Sequence, residues 1–183
     1  PSDPLDKSIT IQGAQGFGAE KAVLFTTGNW NFAGGATVDH VRFIDLELRG
    51  ADIGGDYVFN PNNSDPTFIN ELTFEDCIIN NFRGIIRIRS KVFLGEYTIN
   101  NSIVYRIGGY GIITTDSDGD GNAAVNNIYL TNSTFSKITS FMTSRQNAQS
   151  ITIDACTMSE LASPNGIVFR WRGTDGERSN VLN

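Results

Sequence analysis

The feature that most constrains this chain is a short pattern that recurs five times along it. Each copy reads apolar, any, apolar, any, Asp/Asn or small, any, any, apolar, as in LTFEDCII and YTINNSIV. The copies begin at Val41, Leu72, Tyr97, Ile128 and Ile151, so successive starts differ by 31, 25, 31 and 23 residues. A second apolar family, which includes IIRIRS and IVFRWR, interleaves with the first. Each repeat therefore carries at least two short strands, which predicts a solenoid made of coils.

A polar residue marks the same place inside most copies of the pattern. Asp or Asn stands between the two apolar halves at Asp45, Asp76, Asn101 and Asn132. These residue types tolerate left-handed backbone angles and can hydrogen-bond along a stack, so they suit a tight one-residue corner between two strands. A β-sandwich or jelly roll is the alternative, but neither would need Asp or Asn at the same place in each segment.

Composition narrows the classes of protein further. The 183 residues fit a single domain over 1–183, and 19 glycines with almost no helical periodicity favour an all-β chain. The net charge of -6 disfavours a nucleic-acid protein, which would normally be basic, so any cationic site must be local. No apolar run is long enough to predict a transmembrane segment.

The corner pattern resembles the right-handed parallel β-helix of the pectate lyase superfamily, which has an asparagine-lined turn between its second and third sheets. The resemblance covers nearly the whole chain. LTFEDCIINNFRGIIRIRS and TINNSIVYRIGGYGII look like Bacteroidetes secreted proteins of that superfamily whose domain is labelled only as of unknown function. It implies a right-handed parallel β-helix of about six coils in a secreted or cell-surface anchored protein.

The two ends of such a helix would expose apolar strand edges. Neither end of the sequence carries an amphipathic helix that would cover them, and the chain opens at Pro1. We therefore expect it to be a segment of a longer protein with flanking domains, or to pair end to end with a partner.

The two cysteines occupy equivalent corners of this arrangement, three coils apart. At the usual strand spacing their separation should be roughly 14 Å, which exceeds the reach of a disulfide, about 7 Å between Cα atoms. We expect Cys77 and Cys156 to be free thiols.

The stretch RGIIRIRS suggests where a partner binds. If Ile86 and Ile88 point into the core, Arg87 and Arg89 point outward. Alignment of the sister strands predicts two outward columns: Asn60, Arg87, Thr114, Thr143 and Arg170 in one, and Arg89, Asp116, Arg145 and Arg172 in the other. The strand IVFRWR needs a one-residue slip to join this alignment.

Guanidinium groups on a rigid sheet suit the carboxylates or sulfates of an acidic polysaccharide, because each can bind bidentately. The rings of Tyr57, Tyr110 and Trp171 would offer surfaces for sugar stacking. The resemblance also implies that this sheet forms the sugar-binding groove. The alternative is a solvated salt-bridge ladder in which Asp116 pairs with Arg89 and Arg145.

The segment DSDGDGN matches the first half of a calcium loop. Its candidate ligands for Ca²⁺ are Asp116, Asp118, Asp120 and Asn122, since oxygens at alternate positions can converge on a hard cation. The match is incomplete, because the twelfth position is Asn127 where such a loop has a bidentate Glu. An acidic surface loop is the alternative.

Enzymatic chemistry is the least defined expectation. Uronate β-elimination needs the substrate carboxylate neutralised and a Lys or Arg base, and Lys91 and Arg145 are the candidates for catalysis. MTSRQN resembles the base-bearing strand of alginate and chondroitin lyases of the same fold.

The predicted function is a carbohydrate-binding β-helix that recognises an acidic polysaccharide. A calcium-assisted polysaccharide lyase acting on a uronate-containing glycan is the alternative.

Overall fold

The computed structural model describes residues 3–14, 20–115, 123–144, 148–162 and 166–171, with the backbone alone described for Thr114 and Trp171. The strands in chain order are β1 (Ile9–Gln12), β2 (Ala22–Thr26), β3 (Thr37–Ile44), β4 (Leu46–Gly50), β5 (Tyr57–Phe59), β6 (Asn62–Glu75), β7 (Ile78–Phe82), β8 (Gly84–Asn100), β9 (Ile103–Ile107), β10 (Ile113–Thr115), β11 (Ala123–Thr131), β12 (Thr134–Ile138), β13 (Ser140–Ser144), β14 (Ser150–Asp154), β15 (Thr157–Leu161) and β16 (Ile167–Trp171).

The strands stack in parallel into a β-solenoid with three faces, as the repeats predict. We call the faces the first, second and third sheets. The first sheet contains β5, the start of β8, β10, β13 and β16; the second contains β1, β3, β6, the end of β8, β11 and β14; the third contains β2, β4, β7, β9, β12 and β15. About five turns result, close to the predicted six coils. The fold is all-β, without a helix in the described ranges.

The core is a continuous column of inward side chains. In the second sheet, Phe43 and Phe74 stack at 5.3 Å between ring centroids, and Tyr97 packs edge-on against Phe74 at 6.3 Å. The Tyr97 hydroxyl is fully buried and donates a hydrogen bond to the carbonyl oxygen of Ile112 at 2.8 Å. Each coil therefore buries its apolar face against the next coil, as a solenoid requires.

The predicted corners are present. Their residues all have left-handed backbone angles: Asp45 (φ 52°), Asp76 (φ 53°), Asn101 (φ 47°) and Asn132 (φ 50°). The Asn101 side-chain amide donates to the Asp76 carboxylate of the neighbouring coil, so the stacked hydrogen bond that we expect is also formed.

A second column of left-handed residues lies within the third sheet, at Asn81, Arg106, Lys137 and Glu160. The sequence does not predict it, because these four residues share no residue type.

The residues that follow the corners from Asp76 onward form a second ladder, and both cysteines occupy positions in it. The Cys77 backbone N–H donates to Ser102 Oγ at 2.9 Å, and the Ser102 N–H donates to Ser133 Oγ at 3.0 Å. Cys156 holds the same place in the last described coil, and its thiol donates to the carbonyl oxygen of Leu130 at 3.2 Å. Cys77 and Cys156 are free, which confirms the prediction that they form no disulfide.

The last described coil leaves part of its apolar face exposed. Ile153 pairs with Leu130 and Met158 pairs with Phe135, both at inward positions, yet they are 37% and 36% exposed. The end-to-end partner stays a prediction. Within the described residues there is no helix long and apolar enough to cross a membrane.

Candidate functional site

The outer face of the first sheet carries the arginine column in the predicted register. Arg87 pairs with Thr114, Thr114 with Thr143, and Thr143 with Arg170. Ile86 and Ile88 are buried at 1% and 0% exposure, so the side chain of Arg87 between them is directed outward. The one-residue slip that joins Arg170 to this column is confirmed.

Arg87 is part of a cluster with a second arginine. The guanidinium carbons of Arg83 and Arg87 each lie 4.9 Å from the ring centroid of Tyr110 and 5.8 Å from that of Tyr57. The two tyrosine rings are 5.7 Å apart and inclined at 60°. We call these four residues the Arg–Tyr cluster. Distances below about 6 Å place both cations within reach of the ring quadrupoles.

Tyr57 does not have the role that the sequence suggests. Its side chain is only 2% exposed, so its ring cannot stack on a sugar. Burial raises the pKa of the Tyr57 hydroxyl, against the opposing effect of the Arg87 and Arg83 charges. Gly84 makes room for the ring, because a Cβ there would lie 2.9 Å from its carbon atoms. Tyr57 therefore supports Tyr110 and the two arginines from beneath.

Arg83 is the residue that our sequence reasoning missed. Strict alternation from Arg87 places Ile85 outward, but Ile85 and Ile86 are both buried, at 0% and 1% exposure. Arg83 lies in the bend just before β8, and its guanidinium group meets that of Arg87 over the Tyr110 ring. The sequence offered little signal for this contact, because Arg83 lies outside the strand and Tyr110 is 27 positions away along the chain.

Of the remaining predicted residues, two lie on β8 and the others, or their side chains, fall outside the part of the chain that the structure describes. Arg89 lies two positions beyond Arg87 on β8 and is partly buried, while Lys91 is exposed after Ser90 (φ 52°), where β8 turns into the second sheet. Lys91 therefore lies at the bend between the first and second sheets, apart from the Arg–Tyr cluster. Outside the described residues lie Asp116, Asp118, Asp120, Asn122, Arg145 and Arg172, together with the side chain of Trp171.

The calcium loop and the salt-bridge ladder therefore stay predictions. Among the residues that the structure describes, no group of three or more His, Cys, Asp or Glu side chains is arranged to hold a metal ion.

The fold and the cluster define a parallel β-solenoid with a cationic, aromatic patch on one sheet. A family model described as Domain of unknown function (DUF4957) matches residues 4–138, which is more than half of the chain. The chain belongs to this family. No curated protein and no solved structure matches it significantly.

Proposed function

We propose that this β-helix is a carbohydrate-binding domain of an extracellular or cell-surface protein, and that the outer face of its first sheet recognises an acidic polysaccharide. The observation that supports this most directly is the Arg–Tyr cluster. Two guanidinium groups lie against one tyrosine ring in a chain whose net charge is -6. Because the cationic character of this face is local, it favours a specific binding site over general electrostatic attraction between the whole protein and an anion.

The electrostatics of the cluster favour an anionic ligand. The guanidinium carbons of Arg83 and Arg87 are no farther apart than twice 4.9 Å, since each lies at that distance from the same centroid. Like charges this close repel each other, while the Tyr110 ring attracts both. A carboxylate or sulfate between them would interact favourably with both and could accept bidentate hydrogen bonds.

The arrangement of the arginines favours a polymer. Arg87 and Arg170 occupy one column and are separated by three strand spacings, or roughly 14 Å. Arg89 extends the cationic face along the strand. A chain of uronates lying along the solenoid axis would meet successive arginines, and the resemblance to the pectate lyase superfamily agrees with a sugar on this sheet.

A calcium-assisted lyase is the second candidate. It would require a base from Lys91 or Arg145, and Ca²⁺ held by Asp116, Asp118, Asp120 and Asn122. Lys91 lies beyond the bend of β8, so it is the weaker candidate for a base on the arginine face. Binding without catalysis is therefore the function that we rank first.

The test compares two double variants that remove two positive charges each. Arg83→Gln with Arg87→Gln alters the cluster, whereas Arg106→Asn with Lys137→Asn alters the third sheet, where Asn tolerates the left-handed angles of both positions. Titration calorimetry with polygalacturonate, alginate and chondroitin sulfate should show at least tenfold weaker binding for the first pair only. That factor corresponds to about 1.4 kcal/mol.

Equal loss in both double variants would mean that net charge alone drives binding, and unchanged affinity in the cluster variant would refute the site. The same incubations, with and without Ca²⁺, also test the lyase. Ultraviolet absorbance from unsaturated uronate products would establish catalysis.

A further inference from the structure

A polar cleft lies on the outer face of the second sheet, away from the Arg–Tyr cluster. It has a volume of about 350 Å³, and its lining includes Asp39, Asn70, Gly95, Glu96, Asn126 and Asn127. The depression depends on Gly95, since a Cβ there would lie 2.7 Å from the carbonyl oxygen of Asn70. We call this feature the Gly95 cleft.

The cleft is rich in polar side chains because the alternation of inward and outward residues breaks there. Ile69 and Leu72 are both buried, at 2% and 0% exposure, so Asn70 and Glu71 between them both face outward. The paired strands of the neighbouring coils repeat this break in alternation in register. Each coil therefore offers two consecutive outward residues to the cleft instead of one.

An exposed aromatic pair borders the cleft. Phe68 and Phe93 stack with their ring centroids 5.2 Å apart and their planes 17° apart, and Phe68 is 46% exposed. Phe93 stands two residues before Gly95 on the same outward face. Their neighbours in the column are Thr37 and Ala124, so a small side chain, not another ring, adjoins each end of the stack. A large exposed apolar group beside a polar cleft is a common mark of ligand recognition.

Several polar groups of the cleft are already held in place. The Asn70 side-chain amide donates to Asp39 Oδ1 at 3.3 Å. Asn127 Oδ1 accepts a hydrogen bond from the Ser150 hydroxyl at 2.8 Å, which orients the amide. Groups fixed before binding lose less conformational entropy when a ligand arrives.

The charges of the cleft select against acidic ligands. Hydrogen bonds from Arg42 hold the pKa of the Glu71 carboxyl below its usual value, and those of His40 and Asn70 do the same for Asp39. Both groups are therefore ionised at neutral pH, and Glu96 adds a third carboxylate. A uronate polymer would be repelled here.

We propose that the Gly95 cleft binds an uncharged saccharide, with one sugar ring against the Phe68–Phe93 stack and its hydroxyls on Asn70, Asn126 and Glu96. Sugar hydroxyls both donate and accept hydrogen bonds, as the asparagine amides do, and the apolar faces of sugar rings suit aromatic rings. A basic peptide fits less well, because Glu71 already pairs with Arg42 at 2.6 Å. This site is independent of the acidic-polysaccharide proposal and lies on a different sheet.

The experiment screens fragments of xylan, mannan, galactan and β-glucan by titration calorimetry, with polygalacturonate and hexalysine as charged comparators. Phe68→Leu with Phe93→Leu should weaken binding of the neutral ligand at least tenfold. The matched control is Phe25→Leu, because Phe25 is also an exposed outward phenylalanine, at 57%, but lies on the third sheet. If the double variant fails to fold, Glu96→Gln with Asn126→Ala gives the same test through two exposed polar residues.

Saturable binding of a neutral fragment that is lost in the cleft variants, and retained in Phe25→Leu and in Arg83→Gln with Arg87→Gln, supports the proposal. Binding of hexalysine alone would assign the cleft to a basic peptide and overturn it. Absence of binding to every neutral fragment would overturn it as well. A neutral ligand that binds the cleft variants with unchanged affinity would overturn it too, since the aromatic stack would then only stabilise the sheet.

Discussion

Substitution of Ser102 by Ala tests the ladder that follows the corners. Ser102 is 2% exposed, and its hydroxyl makes two contacts: it accepts from the Cys77 backbone N–H at 2.9 Å and donates to the Asn100 carbonyl oxygen at 2.7 Å. Alanine removes both. The Cys77 residue is 1% exposed, so water cannot readily replace the lost acceptor.

The expected cost follows from these contacts. A buried N–H without a partner costs about 1–3 kcal/mol, and the hydrogen bond to Asn100 contributes about 1 kcal/mol. Together these losses should lower the free energy of unfolding by about 2–4 kcal/mol. For a chain of this size, that loss lowers the melting temperature by about 4–16 °C.

Urea denaturation followed by circular dichroism, together with hydrogen exchange at the Cys77 amide, measures the effect. Exchange is needed because a solenoid can lose one coil before the others and depart from two-state unfolding. Ser136→Ala is the control, because Ser136 lies on the outer side of β12 and the change there should stay within about 0.5 kcal/mol. Ser102→Cys should lower the free energy of unfolding less than Ser102→Ala does, since Cys77 occupies the equivalent position after the neighbouring corner. If Ser102→Ala is as stable as Ser136→Ala, the ladder contributes nothing and the reasoning is wrong.

Two further predictions concern the thiols and a glycine. Burial raises the pKa of the Cys77 thiol to about 11, so iodoacetamide at pH 8 should modify Cys156 and leave Cys77 intact in the native protein; equal rates would contradict the assignment. Because the folded pKa of Cys77 lies above its unfolded value, its contribution to stability is present below about pH 9 and is lost as the pH rises through 11. Gly111→Ala should unfold or severely destabilise the chain, since φ is +57° and the new Cβ would lie 1.8 Å from a backbone carbonyl oxygen of the next coil. A native-like melting curve for that variant would refute the register of β10 and β13.

Part of the candidate site was predictable from local pattern. The register that aligns Arg87 with Thr143 and Arg170 follows from apolar alternation within each strand, and the structure confirms it. The burial of Tyr57 was not predictable in this way. Its position depends on the space above Gly84 in the next coil, which is 27 positions away along the chain.

The sequence by itself determined the architecture of this protein, because a solenoid repeats one local rule. An apolar alternation recurs in every copy of the pattern, and Asp or Asn occupies the corner in four of the five copies, with Ala155 in the last; both features act over a few residues. Only the tertiary structure decided the surfaces. Arg83 and Arg87 meet over Tyr110 of the next coil, and the Gly95 cleft forms beside Phe93, where alternation breaks and the Asn70 backbone of the neighbouring coil leaves room for glycine alone. Those contacts join residues a whole turn apart, so no single strand contains the information that creates them.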